Sequence, residues 1–290
     1  MKSVTLSLAT VVIIFSLTNY TYLYCLQEGM HSSVEYYNRG VEKYRLCDYK
    51  GAIADFDSAI KINPTFIEAY RDRGLAKWMA GNPKGAIADY SKILEISPKS
   101  IEAYGYRGMI KYMSADYKGA ITDYNKVLEL NPKHPVIYNN RGLAKSKLGD
   151  QKGAIADFDT AIKIDPKYAE AYANRGLARA KLGEYEEAIA DYDKAIRINP
   201  KLVEAYCNRA AAKDSIDDQN GAIADADKAI KLNPNYADAY YNRASAKYNL
   251  GDYAGALADF ETVIKLDPPR KTSLQQLIDS ARAKAEKNAE

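Results

Sequence analysis

Seven prolines, Pro64, Pro98, Pro132, Pro166, Pro200, Pro234 and Pro268, follow one another at a fixed interval of 34 residues, with no insertion or deletion between them. A period of this length is the mark of a solenoid, in which each unit buries its apolar face only against its neighbours. With the proline as position 32, the units run 33–66, 67–100, 101–134, 135–168, 169–202, 203–236 and 237–270. Position 4 is then always tyrosine (Tyr36, Tyr70, Tyr104, Tyr138, Tyr172, Tyr206, Tyr240) and position 20 always alanine. Position 8 is glycine until it becomes Ala210 and Ala244.

Each unit reads as two helices. In 169–202, Tyr172, Arg175, Gly176, Arg179 and Ala180 fall at helical spacing, Leu182-Gly183-Glu184 breaks the pattern, and Ala188, Ile189, Tyr192, Ala195 and Ile196 resume it. Position 16 (Asp48, Asn82, Asp116, Asp150, Glu184, Asp218, Asp252) supplies acceptors for the free N–H groups that open a second helix. Gly81, Gly149, Gly183 and Gly251, just before it, suit a left-handed end to the first helix. Asn-Pro or Asp-Pro stops the second helix, because the residue before proline is pushed out of the α region. Small residues at positions 8 and 20 let the two helices approach, and the large ones at 4 and 24 fill the space beside them.

Tyr at 4, Gly at 8, Ala at 20, Tyr or Phe at 24 and Pro at 32 resemble the tetratricopeptide repeat family over Ser33 to Arg270. The resemblance implies an all-α fold, a right-handed superhelical α-solenoid of helix-turn-helix repeats. The chain departs from the family pattern at position 7, where arginine stands in place of the usual leucine. After Pro268-Pro269, Leu274, Leu277, Ile278 and Ala281 recur at helical spacing, so 271–290 is expected to be a capping helix whose AEKNAE tail frays. The sixth repeat, with Ala226 where the others carry Phe or Tyr, reads as the least well packed.

The stretch from Val4 to Leu26 is uncharged, and its Val4–Leu17 core is strongly apolar. Residues 1–26 are therefore expected to be a signal peptide or an N-terminal signal anchor that engages the membrane or export machinery. Either way the repeats are placed outside the cytoplasm, whether periplasmic, extracellular or lumenal. Residues 27–32 form a short linker, and Ser32 with Glu35 makes a capping box that opens the first repeat.

Charge narrows the function. Forty-one bases against 38 acids, spread along the chain, give a net charge of +3 and no basic block for nucleic acid. Three cysteines and two histidines lie without metal or triad spacing, so no cofactor, metal or catalytic residue is expected, and the chain is not read as an enzyme. Arginine fills position 7 in every unit and aspartate fills position 23. Arginine alone would suit an anionic ligand, but the equally regular aspartates argue for pairing between helices.

In tetratricopeptide repeats the first helices line the concave groove, and the resemblance assigns positions 2, 5, 6, 9, 12 and 13 to it here. Position 6 offers Asn38, Asn140, Asn174, Asn208 and Asn242, with Asp72 and Tyr106 breaking the set. Asparagine can donate to and accept from a peptide backbone at once. Positions 5, 12 and 13 of the first three repeats add Tyr37, Tyr44, Arg71, Trp78, Met79, Tyr112 and Met113, side chains suited to anchoring an apolar residue. Acidic residues at position 2 (Glu68, Glu102, Glu170, Glu204, Asp238) argue against a clamp for a terminal carboxylate. The expected function is a protein interaction scaffold that binds an extended peptide or partner segment in the groove. The alternative is a structural subunit of an envelope or membrane-associated assembly that uses the convex face.

Overall fold

The computed structural model describes residues 32–289, so the predicted signal segment and most of the linker lie outside the described residues. The helices come in pairs: α1 (Ser33–Arg45) and α2 (Tyr49–Ile62), α3 (Ile67–Met79) and α4 (Pro83–Ile96), α5 (Ile101–Met113) and α6 (Tyr117–Leu130), α7 (Pro135–Lys147) and α8 (Gln151–Ile164). They continue as α9 (Ala169–Ala180) and α10 (Tyr185–Ile198), α11 (Val203–Asp214) and α12 (Gln219–Leu232), α13 (Ala237–Asn249) and α14 (Tyr253–Leu266). A 3-10 turn, Pro268–Arg270, leads into α15 (Lys271–Ala289), which runs through the AEKNA stretch expected to fray. The described residues contain no strand.

The described residues fall into two compact units that divide between Ile110 and Lys111, inside α5. In the first, Tyr90, Ile93, Ala86 and Ile110 are buried together, and Trp78, Tyr104 and Tyr106 pack against them half-buried. In the second, the cores are rich in alanine, as where Ala188, Ala195, Ala205 and Ala212 surround Tyr192. At the end of the array Leu274 and Ile278 of α15 cover Phe260 and Val263.

Side chains at fixed positions shape each pair. A Cβ on Gly142 would stand 2.7 Å from the Phe158 ring, and the same holds for Gly40 against Phe56, so glycine at position 8 makes room for the ring at position 24. In the sixth repeat both are alanine: Ala210, Ala226, Ala222 and Ala246 are fully buried together. An alanine seam therefore replaces the ring.

The turns are built with the same regularity. Asp48, Asn82, Asp116, Asp150, Asp218 and Asp252 each accept the N–H of the glycine three residues on, at 2.9 Å. Glu184 corrects the expectation for its position, since it makes no side-chain cap. Its carboxylate is one methylene further out, and the third residue on is Glu187 rather than glycine. Before the cap, Gly81, Gly149, Gly183 and Gly251 have φ between 78° and 88°. Cys47, Ala115 and Asp217 take the same left-handed conformation without being glycine, at 61° or 62°. The Ser32 and Glu35 capping box forms at the start of α1.

Candidate functional site

The charged positions are the most regular chemistry in the chain. Arg141 donates from Nε and Nη2 to the two oxygens of Asp157 at 2.9 and 2.6 Å. Arg73 does the same to Asp89 and Arg243 to Asp259, and so do Arg39 with Asp55, Arg175 with Asp191 and Arg209 with Asp225. The third nitrogen reaches back to position 25 of the preceding repeat: Arg73 to Asp57 at 2.6 Å, Arg141 to Asn125 at 2.7 Å, Arg243 to Asp227 at 2.6 Å. Each guanidinium also lies over the position-4 tyrosine of its own repeat, at 5.0 to 5.6 Å. This accounts for the departure at position 7: the arginine ties two helices of one repeat to the helix before them.

Sequence reading missed the second cation on each aspartate. Lys43, Lys77, Lys111, Lys145, Arg179, Lys213 and Lys247, all at position 11, lie 2.8 or 2.9 Å from the position-23 carboxylates. The signal was a complete basic set one helical turn beyond the arginines. Because the fork of Arg39 and the Lys43 ammonium face it, the Asp55 carboxyl is held below the usual carboxylate range, the Arg39 hydrogen bond being the chief cause. These charges are thus absorbed within the fold.

The first helices of neighbouring repeats meet at positions 5 and 6. Tyr37 donates from its hydroxyl to Asp72 at 2.7 Å, Asn174 donates to Asn139 at 2.9 Å, and Asn242 donates to the Cys207 carbonyl at 2.8 Å. Asn174 and Asn242 therefore already hold adjacent helices together. Asn140 and Asn208 are half-buried, and Asn38 is exposed. Asp72, which interrupts the asparagine set, is a junction of its own: it also accepts from Arg71 at 2.8 Å. Burial, followed by the bond to Asp72, pushes the Tyr37 hydroxyl up to about 12. Arg71 is raised in turn by its own hydrogen bond to Asp72.

Tyr37 packs between Phe56 and Phe66, with ring centres 5.8 and 5.0 Å away. Beside it a hollow of about 260 Å³ is walled by Val41, Tyr44, Arg45, Phe56, Asp72 and Leu75. Tyr37, Tyr44 and Arg71 thus gather around one carboxylate. Trp78 lies half-buried against the core of the first unit, whereas Met79 is 51% exposed. In the second unit Met113 is 63% exposed and Tyr112 stands edge to face on Tyr117. A second hollow there, about 340 Å³, is lined by Asn139, Leu143, Glu170, Ala173, Asn174 and Glu204 among others. It is the more polar of the two. Among the described residues no cluster of His, Cys, Asp and Glu could hold a metal ion, and no helix is long and apolar enough to cross a membrane.

Family profiles agree with this geometry. Two described as Tetratricopeptide repeat match residues 33–66, 169–202 and 237–269, and residues 203–236; one described as TPR repeat matches 112–149 and 145–183. The chain belongs to the tetratricopeptide repeat family. Among solved structures it is similar to MamA, with 28% identity and a TM-score of 0.53 over 56% of this chain and 95% of that one. A tetratricopeptide repeat protein from Parabacteroides merdae aligns over 86% of this chain and 98% of its own, at 20% identity and a TM-score of 0.70. YrrB, described as a TPR protein with an unusual peptide-binding site, aligns over 63% and 95% at 23% identity and a TM-score of 0.51. A search of curated proteins finds no match.

Proposed function

We propose that the chain is a non-catalytic scaffold that holds an extended peptide or partner segment along the faces of its first helices. The observation that carries this reading is where the charges find their partners. Arginine at 7, lysine or arginine at 11 and aspartate at 23 satisfy one another inside the array, while the exposed position 13 and the half-buried positions 9 and 12 border a hollow with apolar walls. A surface of that kind offers shape and a few polar groups rather than reactive ones. The fold shared with MamA and YrrB supports a protein-binding role. In this reading residues 1–26 carry the array across or onto a membrane, which a fusion of residues 1–35 to a reporter active only outside the cytoplasm tests; an inactive, cytoplasmic reporter overturns it.

The binding test uses residues 27–290 and an array of immobilised extended peptides. Trp78→Ala should weaken the best binder by about 2 kcal/mol or more, as at an interface hot spot. Because Trp78 also touches the core, Met79→Ala is run beside it. Loss of binding by the exposed Met79 variant at an unchanged melting temperature supports the groove. Normal binding by both variants, with earlier unfolding of the Trp78 protein, removes the groove from the function.

A further inference from the structure

The last repeat shows what one corner of this surface binds. Tyr248 and Tyr253 stand edge to face, 5.2 Å apart and inclined by 70°. The ammonium of Lys284, on α15, lies 4.5 Å from the centre of the first ring and 5.0 Å from that of the second, and donates to the Tyr248 hydroxyl at 2.7 Å. That bond is what draws the Tyr248 hydroxyl below its ordinary range.

Two other repeats carry the same pair at positions 12 and 17. Tyr44 meets Tyr49 at 5.5 Å and 63°, and Tyr112 meets Tyr117 at 5.5 Å and 62°. The chain supplies these corners with no cation among the described residues. Lys284 stands 36 residues after Tyr248, but the residue 36 after Tyr44 is Ala80 and the one 36 after Tyr112 is Leu148. Three copies of one aromatic corner thus exist, and one is filled by a lysine from the protein's own sequence.

The Tyr44 copy has more than the rings. Tyr44 is also a wall of the 260 Å³ hollow, whose other sides are Val41, Phe56 and Leu75, with the Asp72 carboxylate across from them. A lysine has the matching shape, an aliphatic stem for apolar walls and a compact charge for ring faces. Arg45, on the same wall, leans to Glu42 at 3.7 Å, so its charge is partly answered. We propose that the Tyr44–Tyr49 corner and the hollow beside it seat a lysine side chain of the bound segment. This rests on the groove reading and gives the partner's chemistry: a segment with an exposed lysine rather than an acidic or wholly apolar one.

The probe is a blocked Gly-Ala-Lys-Ala-Gly peptide, compared with its norleucine counterpart, titrated into ring-labelled protein and followed by tyrosine ring NMR signals. The lysine peptide should move the signals of Tyr44 and Tyr49 and bind about two- to fivefold more tightly than the norleucine peptide. Tyr44→Leu should remove that preference. Lys284→Met, which empties the last corner at an exposed residue, should add a response at Tyr248 and Tyr253. Equal response to both peptides reduces the hollow to an apolar slot and overturns the proposal. So does a response at Tyr248 in the Lys284 variant with none at Tyr44, or no response at either corner. If the lysine preference is absent while Met79→Ala still abolishes binding on the peptide array, the seat fails and the groove stands. If the lysine preference is present without any Met79 or Trp78 effect, the seat stands and the groove fails.

Discussion

Arg141 and Asp157 meet through two parallel hydrogen bonds, 2.9 and 2.6 Å long, with the aspartate side chain 5% exposed. Lys145 adds a third contact at 2.8 Å. Removing the anion leaves two cations facing a dry site, which costs about 3 to 5 kcal/mol for a buried pair broken from one side. Asp157→Asn should therefore lower stability by about 3 kcal/mol. Asn125→Ala, which removes only the neutral, exposed partner of the same guanidinium, should cost about 1 kcal/mol or less. Chemical denaturation of the two variants checks the ratio.

Acid should act through the first repeat. The Asp55 carboxyl, bound by Arg39 and Lys43, is held below its ordinary value of 3.8. A group depressed on folding contributes stability that is fully present above its unfolded value and lost as pH falls through its folded one. The array should thus hold steady down to about pH 4 and lose stability below that. Asp55→Asn should be less stable at neutral pH and show a flatter acid limb, read by melting temperature against pH. An acid limb as steep as the wild type's would assign the loss to other carboxylates.

Backbone strain makes a separate prediction. Ala115 sits at φ 62°, where four other repeats place glycine. A Cβ in that conformation costs roughly 1 kcal/mol or more. Ala115→Gly should consequently stabilise the protein, by about 0.5 to 1 kcal/mol after the added freedom of the unfolded glycine. The same change at Ala144, buried inside α7, should destabilise by about 1 kcal/mol.

These sites differ in how far the sequence exposes them. The helix pairs were legible because proline, glycine and alanine each act locally: they stop a helix, end one or let two approach. Pairing of position 7 with position 23 was legible as two complete sets of opposite charge. What lay beyond reach was the third dimension between repeats. That Asn174 turns to Asn139 and Tyr37 to Asp72, both 35 residues apart, depends on the offset between stacked helices, which no single repeat encodes. Asp72 looked like a break in the asparagine set for the same reason. The lysines and Arg179 at position 11 were visible yet passed over, since a solvated helix face has the same composition.

One hydroxyl in the fifth repeat is out of place. Tyr192 is fully buried, and its Oη has no hydrogen-bond partner among the described residues. Burial pushes the group's pKa far up, the same desolvation seen from the titration side. Three other repeats put phenylalanine at this position, as Phe56, Phe158 and Phe260, each with its ring against the small residue at position 8 or its neighbours. An unsatisfied buried hydroxyl costs about 1 to 3 kcal/mol, so Tyr192→Phe should stabilise the repeat by about 1 kcal/mol. Tyr90 is the control, because its hydroxyl does donate, to the Arg71 carbonyl at 3.4 Å. Tyr90→Phe should be neutral or mildly destabilising. Since repeats can open one by one, amide hydrogen exchange in α9 and α10 is the sharper readout than global melting. Slower exchange there in Tyr192→Phe, with no such slowing around α4 in Tyr90→Phe, is the expected pattern; faster exchange in the Tyr192 variant would mean that the hydroxyl is satisfied in solution.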